Sequence, residues 1–166
     1  MIRLFAIGDI HGCFDSLEEL VENKIQLNKN DTLVLLGDYI DRGDKSKEVI
    51  DYIIDLQGKD YNIIPLIGNH ELLLLETFED ENNKPKWLQN GGGETLKSFG
   101  VDSIKDISTK YLDFFRHRPI TIGYCEMQIN ENKQVINIDT GCVYNEKVGF
   151  GKLTAIELYS KKLLSV

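Results

Sequence analysis

The sequence predicts an α/β fold. Three short apolar runs, each ended by a glycine, alternate with stretches whose apolar residues recur at helical spacing. That βαβαβα order implies a parallel sheet with right-handed crossovers. After Pro119 the pattern changes to apolar runs separated by turns, so the second half reads as mainly β. A length of 166 residues suits a single domain over 1–166, large enough to bury a core without disulfides.

The elements follow in order. Ile2 to Ile7 reads as a buried strand ended by Gly8. Asp15 and Glu18 form a capping-box pattern ahead of Leu17, Leu20, Val21 and Ile25. Thr32 to Leu36 is a second buried strand, stopped by Gly37. Ser46 is placed to cap a helix with Val49, Ile50, Ile53, Ile54 and Leu56 on its apolar face and Gly58 at its end. Ile63 to Ile67 is a third strand, with Pro65 at odds with it. A helix follows from Glu71 to about Phe78, and Asp80 to Lys84 is a polar loop. Asn90 to Gly93 is a turn that opens a short helix ending at Gly100, and Ile107 to Arg116 reads as another helix. Ile120 to Gln128, Gln134 to Ile138, Leu153 to Leu158 and Lys162 to Val166 read as strands.

Composition narrows the function. A net charge of −8 argues against a broad electrostatic grip on nucleic acid or on an anionic membrane. It leaves a phosphate substrate open, because bound cations reverse the local field. Cys13, Cys125 and Cys142 lack CxxC spacing and read as packed, reduced thiols of a cytoplasmic protein. The apolar N-terminus is too short for a signal peptide, and no run is long enough to span a bilayer.

Three segments carry the chemistry: Gly8-Asp9-Ile10-His11-Gly12, Gly37-Asp38-Tyr39-Ile40-Asp41-Arg42-Gly43 and Gly68-Asn69-His70-Glu71. Each follows an expected strand, and ligands of an open parallel sheet bind beyond the carboxyl ends of its strands. Carboxylate, imidazole and amide groups would converge there, a donor set suited to divalent cations. Asp9 and His11, on the same side of an extended turn, can grip one metal, Asp38 can bridge two, and Asn69 offers an amide oxygen to the second. Taken singly, each segment is an ordinary turn, cap or ion pair. Three of them after three successive strands make coincidence a poor explanation.

These motifs resemble GDxHG, GDxxDRG and GNHE of the phosphoprotein phosphatase family of calcineurin-like metallophosphoesterases. Trp87, Asn90-Gly91-Gly92 and Thr95, then Ile138-Asp139-Thr140-Gly141-Cys142-Val143-Tyr144 and Gly151-Lys152-Leu153-Thr154-Ala155, are similar to the bacterial branch of that family. That branch includes serine/threonine phosphatases and symmetrical diadenosine tetraphosphatases. The resemblance implies two β-sheets packed face to face with helices outside, an α/β/β/α sandwich. It implies Asp9 and His11 on a first metal, Asp38 bridging, and Asn69 on a second metal and near substrate. His70 would be the general acid oriented by Asp41, and Arg42 would hold phosphate oxygens.

One departure stands out. The family's VHAG-like histidine segment is absent, and the chain runs from Tyr111-Leu112-Asp113-Phe114-Phe115 directly into Arg116-His117-Arg118-Pro119. His117 could replace the missing second-metal histidine, or it could bind the last carbonyls of a helix; the sequence leaves both open. A second metal held by Asp38, Asn69 and His117 would be thinly supplied. The resulting expectation is a metal-dependent phosphomonoesterase of the serine/threonine protein phosphatase type, acting by metal-bound hydroxide on a phosphorylated protein or small phosphate ester. Manganese is the expected metal, with zinc or iron open. The runner-up is a diadenosine polyphosphate hydrolase. A third reading is a catalytically impaired relative that binds metal or phosphate.

Overall fold

The computed structural model describes residues 2–119, 138–144 and 151–166. Among the described residues, five strands form one mixed sheet in the order β3-β2-β1-β4-β5. β1 (Leu4–Ile7), β2 (Thr32–Leu35) and β3 (Asn62–Pro65) are parallel, in the registers Leu4↔Thr32 and Thr32↔Asn62. Pro65, which jars with a central strand, is accommodated because, among the described residues, β3 is an edge strand paired only with β2. β4 (Thr154–Glu157) and β5 (Lys162–Ser165) form an antiparallel hairpin that joins the other side of β1. These two strands extend the parallel sheet instead of starting a separate one. The expected strands at 120–128 and 134–138 fall outside the described residues, apart from Ile138.

Alternation along the strands buries both faces. Phe5, Ile7, Leu33 and Leu35 point into the main core with the helices, while Ala6 and Ile156 pack with Ile138 on the opposite face, flanked by Val34. The helices are α1 (Phe14–Glu19, prolonged by a π-helical turn over Leu20–Ile25), α2 (Ser46–Gly58), α3 (Asn69–Glu79), α4 (Lys84–Gln89), α5 (Gly92–Phe99) and α6 (Thr109–Arg116). Among the described residues, no helix is long and apolar enough to cross a membrane.

Several local expectations need correction. Asp15 does not cap α1; its carboxylate accepts from Lys45 Nζ at 2.6–2.7 Å, and Cys13 holds the cap position. Ser46 does not cap α2 either. It is the first helical residue, fully buried, and its hydroxyl accepts the Asp41 N–H at 3.2 Å. Asp80 to Lys84 is not simply a loop: a 3₁₀ turn over Glu81–Asn83 leads straight into α4. α6 starts at Thr109, two residues later than expected, because Ile107 closes a 3₁₀ turn over Ile104–Asp106.

Candidate metal centre

The three motif segments leave the carboxyl ends of β1, β2 and β3 and lie against one another. The N–H groups of Ile10 and His11 donate to the Asp38 carbonyl at 3.0 and 2.8 Å, and Gly12 N–H donates to the Tyr39 carbonyl at 2.7 Å. The buried Glu71 carboxylate, in the first turn of α3, ties two loops together. It accepts N–H groups of Asp38 and Tyr39 at 2.8 Å and of Gly68 at 2.9 Å. Four L-residues here hold left-handed backbone: His11 (φ 45°), Asp38 (51°), Asp41 (69°) and Arg42 (70°). Each such residue stores on the order of 1–2 kcal/mol, which surrounding bonds must offset. Gly68 shows how tight the packing is: a Cβ there would lie 2.7 Å from the Asp38 carboxylate carbon.

The side chains converge at the mouth of these loops. His11 Nδ1 lies 2.9 Å from the Ile40 carbonyl. A carbonyl only accepts, so Nδ1 carries the proton and the Nε2 lone pair faces the site. His70 Nδ1 lies 2.8 Å from Asp41 Oδ2, which turns its Nε2 the same way. The Arg42 fork donates to both lone pairs, Nη1 to His11 Nε2 at 2.6 Å and Nη2 to His70 Nε2 at 3.0 Å. Tyr144 lies beneath the guanidinium, 5.7 Å from ring centroid to Cζ. Asp38 accepts the His70 N–H at 3.0 Å, and Asp9 Oδ2 stands 3.8 Å from His11 Nε2.

Electrostatics single out the same place. Burial, then the charges of Asp139, Asp38 and Glu71, push the Asp9 carboxyl up to about 8. Burial and the Asp38 charge raise Glu71 to about 7 against the pull of its N–H donors. Burial and the Arg42 charge lower His11 to about 3, so its imidazole is neutral. Mutually repelling carboxylates beside the neutral His11 imidazole form an environment that a divalent cation relieves. One ligating atom each of His11, Asp38 and His70 lies within 4.8 Å of the others. Oxygen and imidazole donors at this spacing fit a divalent cation. His11, moreover, is held by its second nitrogen in the tautomer that coordination requires.

The structure thus brings Asp9, His11, Asp38, Asp41, Arg42 and His70 together. Asn69, the first residue of α3, is exposed beside His70. His117 is not brought to the cluster. It is the exposed C-cap of α6, with Nδ1 2.8 Å from the Asp113 carbonyl, because the chain has not yet left the helix at that point. Of the two roles the sequence left open for His117, this contact is the helix-end one.

Sequence reasoning passed over several residues. Glu71 was assigned no task, although a carboxylate at the third position of a helix is a known cap signal. Asp139 entered only within the segment resembling the bacterial branch. Its carboxylate accepts the Gly141 N–H at 2.8 Å, and its charge acts on Asp9. Trp87 and Thr95 entered only through a resemblance. Trp87 Nε1 donates to both Asp41 oxygens at 3.1 and 3.2 Å, and Thr95 Oγ1 donates to Oδ1 at 2.7 Å.

The chain is similar to several known proteins. The symmetrical bis(5'-nucleosyl)-tetraphosphatase of Proteus mirabilis is 32% identical over 139 residues, covering 82% of this chain and 44% of that protein. The zinc-dependent endopolyphosphatase of Saccharomyces cerevisiae is 38% identical over 98 residues, 58% of this chain and 29% of that protein. The chain therefore spans less than half the length of these curated relatives. Among solved structures, one provisionally named a diadenosine tetraphosphatase superposes with a TM-score of 0.63 at 19% identity, over 99% of this chain and 92% of that one, a likeness of fold. The family model for calcineurin-like phosphoesterases matches residues 2–158, and the chain belongs to that family.

Proposed function

We propose that this chain is a metal-dependent hydrolase of small phosphate esters and anhydrides, with a dinucleoside polyphosphate as its favoured substrate. The carrying observation is the convergence of Asp9, His11 and Asp38 beside the paired His70 and Asp41. The names of the relatives favour the dinucleoside substrate over the phosphorylated protein that the motifs alone put first.

Asp9, His11 and Asp38 would hold one divalent cation. Asp38 with Asn69 would hold a second, more weakly if no third protein ligand joins them from outside the described residues. Bound divalent cations acidify water and neutralise phosphoryl oxygens, whichever of manganese, zinc or iron fills the site. The planar Arg42 fork, now directed at two imidazoles, has the geometry to take two phosphate oxygens. His70 Nδ1 is committed to Asp41, so once the Arg42 fork turns to phosphate and Nε2 takes up a proton, that site-facing nitrogen would pass it to the leaving oxygen.

The test is turnover of diadenosine tetraphosphate, p-nitrophenyl phosphate and a phosphoserine peptide with manganese, with products separated by ion-exchange chromatography. The reading expects the dinucleotide to give the highest kcat/KM, and Asp38→Asn to lower it at least about 100-fold. Preference for the phosphopeptide would restore the protein phosphatase reading. No turnover of any substrate by a metal-loaded chain would reduce it to a binding module.

A further inference from the structure

Asp41 is fully buried, and its hydrogen bonds extend well beyond His70. Oδ1 accepts from Thr95 Oγ1 at 2.7 Å and from Trp87 Nε1 at 3.1 Å, and Oδ2 accepts from His70 Nδ1 at 2.8 Å and from Trp87 Nε1 at 3.2 Å. Thr95 works in both directions, because its Oγ1 also accepts the Asp41 backbone N–H at 2.9 Å. A single hydroxyl therefore clamps the backbone and the carboxylate of the same residue. The same segment reaches the next residue: Arg42 N–H donates to the Gly91 carbonyl at 3.2 Å. Trp87 and Thr95 are themselves fully buried, on α4 and α5.

A carboxylate has about four acceptor sites, and here the donors of α4 and α5 fill those that His70 does not. Its plane and χ1 are thereby fixed, and the direction of the His70 ring with them. The same clamp holds the Asp41 backbone in its left-handed conformation. We propose that Trp87 and Thr95 are positioning residues for leaving-group protonation, acting on His70 through Asp41. The proposal rests on the reading of His70 as the general acid.

Protonation by a positioned acid matters most when the leaving group is a strong base, and least when it leaves readily as an anion. The experiment compares kcat for an alkyl phosphate and for p-nitrophenyl phosphate in wild type, Thr95→Val, Thr95→Ser, Trp87→Phe and His70→Asn, with thermal melts to establish folding. Thr95→Val and Trp87→Phe are expected to lower alkyl phosphate turnover about 10–100-fold and p-nitrophenyl phosphate turnover by less than about threefold, with Thr95→Ser restoring most of the loss. Equal losses on both substrates, or a Thr95→Ser variant as poor as Thr95→Val, overturn the proposal. If His70→Asn itself shows no dependence on leaving group, the general-acid reading fails instead. A second readout does not need turnover. In proton NMR the His70 Nδ1–H should be a slowly exchanging downfield resonance in wild type that is lost in Thr95→Val, and its persistence there counts against the positioning role.

Discussion

The three consecutive glycines at 91–93 give a sharp stability contrast within one short segment. Gly91 has φ +100°, and a Cβ there would lie 2.5 Å from Arg42 N, 2.9 Å from its Cγ and 3.0 Å from its Cα. Alanine at that position carries about 1–2 kcal/mol of left-handed backbone cost. Crowding against a backbone that cannot yield adds about 1–3 kcal/mol. A total near 3 kcal/mol lowers Tm by about 6–12 °C for a domain of this size. Gly93 has nothing within 4 Å of an added Cβ and lies in the first turn of α5. Alanine there gains up to about 1 kcal/mol of helix propensity and should leave Tm unchanged or raise it slightly. The assay is thermal unfolding by circular dichroism, with p-nitrophenyl phosphate turnover alongside. Gly91→Ala should also displace the Arg42 fork and lower kcat/KM by about 10–100-fold. Equal melting temperatures for the two variants would refute the idea that the 87–95 segment braces the Asp41–Arg42 loop.

Other predictions follow from buried charge. Asp9 has a folded value of about 8 against an ordinary 3.8, so its ionisation opposes folding, and stability present below pH 4 is lost as pH rises through 8. In chelator, Asp9→Asn should therefore melt several degrees above wild type at pH 8 and no higher at pH 4, while calorimetry shows its manganese affinity reduced. Asp31 behaves in the opposite sense. Burial pushes its carboxyl up, but the hydrogen bonds and charge of Arg3 and the Asn28 N–H outweigh this and hold it below the ordinary range. Its contribution is present above about pH 4 and lost as pH falls below it. Asp31→Asn should cost about 1–2 kcal/mol at pH 7, moderated by the partial exposure of Arg3, and progressively less as pH falls below 4, measured by urea titration.

The strands and the three motif loops were legible because they depend on local signals: apolar runs, glycine stops, and polar residues placed just after each strand. What stayed hidden depends on distant partners. Ser46 looks like a cap in sequence, yet the left-handed Asp41 five residues earlier presents its N–H to the Ser46 hydroxyl. Trp87 entered only through the resemblance, and its partner Asp41, 46 residues away in sequence, is buried beside its ring nitrogen. The hairpin of β4 and β5 was expected from its apolar runs, but no local pattern says which sheet a strand will join; pairing with β1 decided that. His117 had two physical readings of equal standing, and the end of α6 fell where the helix carbonyl captures it.

The central claim is that Asp9, His11 and Asp38 form a cation site. Anomalous diffraction from crystals equilibrated with manganese tests it most directly. The account predicts a peak about 2.0–2.3 Å from His11 Nε2 and from an Asp38 carboxylate oxygen, with Asp9 also in contact and Arg42 turned away to admit the ion. Saturating manganese that leaves this position empty, or that binds only elsewhere on the surface, would contradict it.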